Sequence, residues 1–196
     1  MSKTPKLRFK EFSGDWEEKK LGDECNFFSG GTPLTTNRTY YDGNIPFIRS
    51  AEISGDRTEL RISEDGLNNS SAKLVQKGDL LYALYGATSG EVSISRIDGA
   101  INQAVLCIKS DNINLEFLEK VLSKNKENII NTYLQGGQGN LSSSIIKGLK
   151  YNLPSKEEQE KIAKLIGCID LKIDKEKEKL DLLNEYKKGL LQQMFV

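Results

Sequence analysis

The chain has 196 residues, 37% of them apolar and 29% charged, with 28 basic and 28 acidic side chains and no histidine. That length can bury a real core without disulfides or metal, and no stretch approaches the roughly 18 apolar residues of a membrane span. A net charge of zero gives no vote for nucleic acid, and the missing histidine excludes His-based acid–base work, Ser-His-Asp triads and ordinary zinc sites.

The opening MSKTPKLRFKEF contains no apolar h-region, so a cytoplasmic location is expected. Short apolar runs follow: CNFF (25–28), IPFI (45–48), DLLYALY (79–85), EVSISRI (91–97) and AVLCI (104–108). Gly, Asn and Asp turns separate them, which predicts strands. EVSISRI alternates as a half-exposed strand does, and AVLCI is continuous enough for a buried one. A helix is expected at about 115 to 126, capped by Asn114, with Phe117, Leu118, Val121 and Leu122 on one face. Cys25, Cys107 and Cys168 lie far apart without a C-x-x-C pair and read as buried, reduced thiols.

From Ser155 the texture changes. The segment has no proline and only two glycines, Gly167 and Gly189. Apolar side chains recur in alternating steps of four and three: Ile162, Ile166, Ile169, Ile173, Leu180, Leu183, Leu190 and Met194. Glu176 and Lys187 interrupt the series. This spacing draws one narrow stripe along a helix, the seam of a coiled coil. Ser155 reads as the N-cap, with Glu158 completing a capping box, and Glu157, Glu158 and Glu160 favour the positive helix start. The expected architecture is α+β: a globular mixed-sheet domain over 1–154, then one long helix over 155–196 that cannot bury its stripe alone.

No catalytic constellation emerges. LQGGQGNLSSS (134–144) lacks the G-x-x-x-x-G-K-[ST] of a P-loop, and its G-x-G-x-x-S lacks the third glycine of a dinucleotide loop and follows a helix rather than a strand. NLPS (152–155) has one misplaced proline and no aromatic relative to the Asn-Pro-Pro-aromatic motif of adenine methyltransferases, so it reads as the lead-in to the cap. Asp56, Glu59, Glu64 and Asp65 have no metal-site spacing.

Three loops do carry groups suited to DNA. Glycines let backbone amides approach phosphates; Asn and Gln amides pair with adenine, Arg with guanine, and Ser or Thr with several base edges. The first loop, GGTPLTTNRTYY, offers Thr32, Thr35, Thr36, Asn37, Arg38 and Tyr40; the second, YGATSGEV, offers Tyr85, Thr88 and Ser89; the third, QGGQGN, offers Gln135, Gln138 and Asn140. Taken singly, each is more often a turn whose polar side chains face water.

Five segments in order resemble one family. WEEKKLGDECNFFSGGTP (16–33) is similar to its W-x-x-x-x-L-G-[DE]…G-G-T-P opening, and YYDGNIPFIRSAEI (40–53) to its aromatic–G-x-I-P-[WF]-[IV]-[RK] segment. KGDLLYALYGATSGEV (77–92) resembles G-D-[LI]-[LV]…G-A-x-x-G, and DGAINQAV (98–105) resembles G-x-x-N-Q-[AG]. LQGGQGNLSSSIIKGLKYNLPSKEEQEKIAKLI (134–166) is similar to the domain's end and the start of the following helix, with LPSKEEQEKIA the most specific piece. The family is that of Type I restriction–modification specificity subunits.

The resemblance implies a non-catalytic target recognition domain that reads one half of a bipartite site in double-stranded DNA. It implies a helix that spaces two such domains and docks modification (methyltransferase) subunits, with restriction and motor subunits joining through the complex. No cofactor is expected on this chain; S-adenosylmethionine, ATP and Mg belong to the partner subunits. Full specificity subunits carry two recognition domains and two helices, whereas one of each is present here. A half-subunit or a fragment is therefore expected, forming a head-to-tail homodimer through residues 156 to 194. Arg38, Arg49, Arg57, Arg96, Lys147 and Lys150 are the phosphate-contact candidates, Arg49 being the one placed for a structural role. The competing expectation is a coiled-coil adapter whose globular domain binds protein.

Overall fold

A computed structural model describes residues 4–134 and 140–195. In chain order the elements are β1 (Glu17–Lys20), α1 (Leu21–Glu24), β2 (Asn26–Ser29), β3 (Ile45–Ile48), β4 (Arg61–Ile62), α2 (Glu64–Asn68), β5 (Lys73–Val75), β6 (Leu80–Ala83) and β7 (Val92–Ile94). There follow β8 (Gly99–Ile101), β9 (Val105–Lys109), α3 (Leu115–Tyr133), α4 (Ser143–Gly148), β10 (Lys150–Leu153) and α5 (Lys156–Met194). The class is α+β, as expected.

The central sheet has the order β2-β9-β6-β7 and is antiparallel throughout. Strand side chains alternate between faces, and here both faces are covered. Leu80, Tyr82, Leu106 and Ile108 point to one side, where Phe117, Leu118 and Leu122 of α3 and Ile146 of α4 close the main core. Leu81, Ala83, Val105 and Cys107 point to the other, against Ile48 and Ile101 of the second sheet. Double coverage explains why DLLYALY and AVLCI are continuous apolar runs. β7 is buried only at Val92, in keeping with its alternating sequence.

The second sheet has the order β4-β3-β8-β5, with β3 parallel to β8 and the other pairs antiparallel. Its outer face carries a small cluster of Phe47, Ile62, Ala72 and Ala100. A third ladder pairs β1 with β10, Glu17 opposite Leu153, and brings the chain's first strand to the foot of α5.

Asn114 caps α3, its side chain accepting from the Phe117 amide at 2.8 Å, and the helix runs seven residues past the expected end at 126. Val121, Leu122 and Ile129 continue its buried stripe through a polar stretch that reads as a stop when only propensity is weighed. Three short helices, α1, α2 and α4, were not expected from the sequence; each is too short for a periodic signal.

At the start of α5, Ser155 accepts from the Glu158 amide at 3.4 Å, but the reciprocal half of the expected capping box is not made. The Glu158 carboxylate instead takes a forked pair of bonds from Arg8, Nε and Nη2 each at 2.7 Å. Glu158 is 1% exposed and Gln159 is 3% exposed. Gln159 accepts from the Asn114 amide at 3.0 Å and donates to the Pro154 carbonyl at 2.9 Å. The first turns of α5 are thus embedded in the globule. Phe9 lies under the Lys161 ammonium, and Lys161 pairs with Glu11, so the segment before β1 wraps the same foot.

Beyond Leu171 every residue of α5 but Gly189 is exposed. Its 39 residues span roughly 58 Å at about 1.5 Å each. Among the described residues no helix is long and apolar enough to cross a membrane. Of the cysteines only Cys107 is fully buried, its thiol pushed up to about 12 by burial; Cys25 is half-buried, and Cys168 is exposed on α5 because it falls off the packed face.

Candidate nucleic-acid interface

Strand direction decides which loops meet. β2 ends at Ser29 opposite Leu106, near the start of β9, and β6 ends at Ala83 opposite Val105. The segments leaving β2 and β6 therefore emerge at the same end of the central sheet. β8 runs parallel to β3 and leads directly through Asn102 and Gln103 into β9, so the outgoing end of β3 arrives there too. Asn140 adds itself by bridging Tyr85, with the Leu141 amide bonded to the Leu84 carbonyl at 2.8 Å. Together with the exit of β3, four separated stretches of sequence thus form one loop-built end.

The stretches touch through specific bonds. Thr32 Oγ1 donates to Gln103 Oε1 at 2.7 Å, and the Gly30 amide donates to the Asn102 carbonyl at 3.2 Å. Gly30 is required by close approach: a Cβ there would lie 1.7 Å from the Ile101 carbonyl oxygen. Between β6 and β7 the chain turns through Gly86 at φ +91°, in the left-handed region that glycine tolerates. Ser89 is buried in that turn, its hydroxyl donating to the Leu84 carbonyl at 2.9 Å. Its hydroxyl shapes the turn and is not presented outward.

The other candidates distribute unevenly. Thr35 and Thr36 are exposed beside Thr32, while Thr88 and Tyr85 are half-buried, and burial raises the Tyr85 hydroxyl above its ordinary pKa. Asn37 caps the 3-10 turn Arg38–Tyr41, accepting from the Thr39 amide and hydroxyl at 3.2 and 2.8 Å. That turn rests on α2, the Ser63 amide bonding the Tyr40 carbonyl at 2.9 Å, so Arg38 and Tyr40 lie on the flank of the second sheet. Arg57 is exposed in the connection from β3 to β4. Gln135 and Gln138 lie outside the described residues.

Two basic candidates stand elsewhere. Arg96 follows β7, whose Ile94 faces Leu80 at the beginning of β6, which is the opposite end of the sheet from the loops. It lines the cleft between β7 and the foot of α5. Lys147 sits on α4 beside Gly22 of α1, its ammonium 5.7 Å from the Phe27 ring centre, and Lys150 pairs with Glu18 at 3.3 Å.

Arg49 is structural, as its apolar strand suggested. It bonds Glu52 through Nε at 3.0 Å and also pairs with Glu59, and those carboxylates raise its pKa further. Burial pushes the Glu52 carboxyl up, but the bonds from Arg49 and from the Glu59 and Arg49 amides outweigh it and leave the pKa lowered. Among the described residues no three carboxylates or thiols are grouped as a metal site. Gln103 is not among the residues the sequence points to, although it lies in DGAINQAV; its bond with Thr32 places it at this end of the sheet.

Comparison with known proteins adds identity to this geometry. The model of the Type I restriction modification DNA specificity domain matches residues 13–185. The MjaIX specificity subunit of Methanocaldococcus jannaschii is 27% identical over 194 residues, covering 93% of this chain and 44% of that protein. The HindI specificity subunit of Haemophilus influenzae is 29% identical over 153 residues, covering 72% and 32%. Thus the chain spans less than half the length of these curated relatives. Among solved structures, the Type I restriction–modification S subunit from M. genitalium superposes with a TM-score of 0.66 at 20% identity, over 92% of this chain and 46% of that one. The HsdS subunit from Thermoanaerobacter tengcongensis gives 0.63 at 18%, over 90% and 42%. With the family model matching most of the chain, and the same fold recurring in these neighbours, the chain belongs to the Type I restriction–modification DNA specificity domain family.

Proposed function

We propose that this chain reads DNA sequence for a Type I restriction–modification system, contributing one recognition domain per copy. The observation that carries the reading is the convergence of the 30–36, 85–88, 102–103 and 140 segments at one end of the central sheet. Such an end offers hydroxyls and amides for base edges on a rigid scaffold. The zero net charge fits a reader that draws part of its affinity from partner subunits.

In this reading the domain recognises one half of a bipartite target in double-stranded DNA. Helix α5 sets the spacing between two halves and docks the modification (methyltransferase) subunits. Restriction and motor subunits join through that complex. The chain performs no catalysis and binds no cofactor; S-adenosylmethionine, ATP and Mg act on the partners. Its exposed stripe pairs with the same stripe of a second copy in a head-to-tail homodimer, and twofold symmetry then makes the preferred target an interrupted palindrome.

The test is to incubate the chain with the methyltransferase encoded beside it and sequence the methylated DNA. Methylation confined to one bipartite motif is the expected result. A folded complex that methylates no defined motif would overturn the reading in favour of an adapter that binds protein.

A further inference from the structure

The apolar stripe of α5 is exposed only in part. Ile162 and Ile166 are half-buried at the foot of the helix, Ile162 packed against the main core. From Ile169, 52% exposed, to Met194, 70% exposed, the stripe is free. Its two interruptions share its face: Ile169, Ile173, Glu176 and Leu180 line one shallow groove along the helix, and Lys187 holds the equivalent place one turn beyond Leu183. Among the described residues neither Glu176 nor Lys187 has an ion-pair partner.

A charge in a coiled-coil seam costs stability unless the opposing helix answers it, and such residues therefore set register and orientation. We infer that Glu176 and Lys187 specify an antiparallel pairing of two copies of α5 in one register, with Glu176 of each copy opposite Lys187 of the other. The inference rests on the homodimer reading above and deepens it.

Placing Glu176 against Lys187 puts the twofold axis midway between Asp181 and Leu182. The rest of the seam then closes without further choice. Leu180 meets Leu183, Ile173 meets Leu190, and Ile169 meets Met194, each pair occurring twice.

Competing arrangements fail on the same residues. Sliding the antiparallel pair by one heptad sets Glu176 against Leu180 or Met194, and Lys187 against Ile169 or Leu183, burying each charge unanswered. A parallel, in-register pair sets Glu176 against Glu176 and Lys187 against Lys187, which is repulsive twice. Only the antiparallel register described turns both interruptions into opposite-charge pairs.

The test compares dimer dissociation constants of the full chain by sedimentation equilibrium at low and high salt. The variants are Glu176→Lys, Lys187→Glu and the double exchange. Each single variant puts like charges together twice and should weaken the dimer roughly tenfold at low salt. The double exchange, and an equimolar mixture of the two single variants, should recover the original affinity to within about threefold. Fluorescence of Trp16, which packs edge-on at 6.4 Å from the Phe117 ring, reports the globule's fold independently. Single variants that dimerise as tightly as the unaltered chain, or a double exchange no tighter than the singles, would overturn the register while leaving the dimer standing. An unaltered chain that stays monomeric would overturn the homodimer reading, and this register with it.

Discussion

Arg8 forks onto the buried carboxylate of Glu158, with Nε and Nη2 each 2.7 Å from one oxygen, and so ties the segment before β1 to the first turn of α5. The same guanidinium donates to the Gly14 and Ser13 carbonyls at 2.6 and 3.2 Å. An arginine with four bonds to protein oxygens thereby holds the foot of the helix that projects from the globule.

Arg8→Ala removes one partner and leaves the 1% exposed Glu158 charged and unpaired. It should lower the midpoint of urea denaturation clearly, because an uncompensated buried charge is the expensive outcome. Glu158→Gln should cost less, since a neutral amide is cheaper to bury and still accepts from Arg8. An unchanged midpoint for Arg8→Ala would mean that water reaches the carboxylate freely.

Two glycine-to-alanine exchanges should move stability in opposite directions. At Gly30 the new Cβ would overlap the Ile101 carbonyl oxygen, so Gly30→Ala should displace the β2 exit loop and lower the Tm by several degrees. At Gly189, in the exposed part of α5, a Cβ meets nothing within 4 Å, and Gly189→Ala should increase helix stability by about 1 kcal/mol. Circular dichroism on both variants checks this; a neutral Gly30→Ala would show that the loop end is not rigid.

Gln103→Ala and Thr32→Val break the 2.7 Å contact that joins two loops at the proposed reading end. Each should weaken binding to the methylated motif's duplex roughly tenfold, the scale of one base contact, with little change in Tm. Arg96→Ala and Lys147→Ala, placed away from that end, should leave sequence preference unaltered. Fluorescence anisotropy on cognate and scrambled duplexes, with the partner methyltransferase present, distinguishes the two groups. Equal loss of specificity from all four would contradict the assignment of the reading end.

The pKa of Glu52 is lowered in the folded chain, so its contribution is present above the unfolded carboxylate value near 4.3 and is lost as pH falls through the lower folded value. Glu52→Gln should therefore destabilise at neutral pH and converge on the unaltered chain in acid. Denaturation midpoints from pH 7 down to about 3 test the sign; a gap that widens in acid would reverse it.

Much of the architecture was legible in the residues. Leu80 to Ala83 and Val105 to Ile108 read as buried strands because side chains on both faces are apolar, and each face proved to have its own cluster. The Asn114 and Ser155 caps and the stripe from Ile162 to Met194 are local patterns that need no partner to be recognised. Glu158 was different. Its spacing from Ser155 suits a capping box, but Arg8, 150 residues away in sequence, competes for the carboxylate with charge and two bonds, and prevails. Short-range pattern cannot register a long-range competitor.

By itself the sequence determined the class of each long element, the family resemblance and the seam of α5, because propensity, capping and periodicity act within a few turns of chain. Only the tertiary structure decided which loops share a surface. Arg96 and Thr88 are eight residues apart on either side of β7, so the strand carries them to opposite ends of the sheet. Thr32 and Gln103, 71 residues apart, are brought into contact because β2 runs antiparallel to β9 and both open at the same edge. Strand direction is set by non-local pairing, and pairing is energetically meaningful only once the faces of both sheets are buried together.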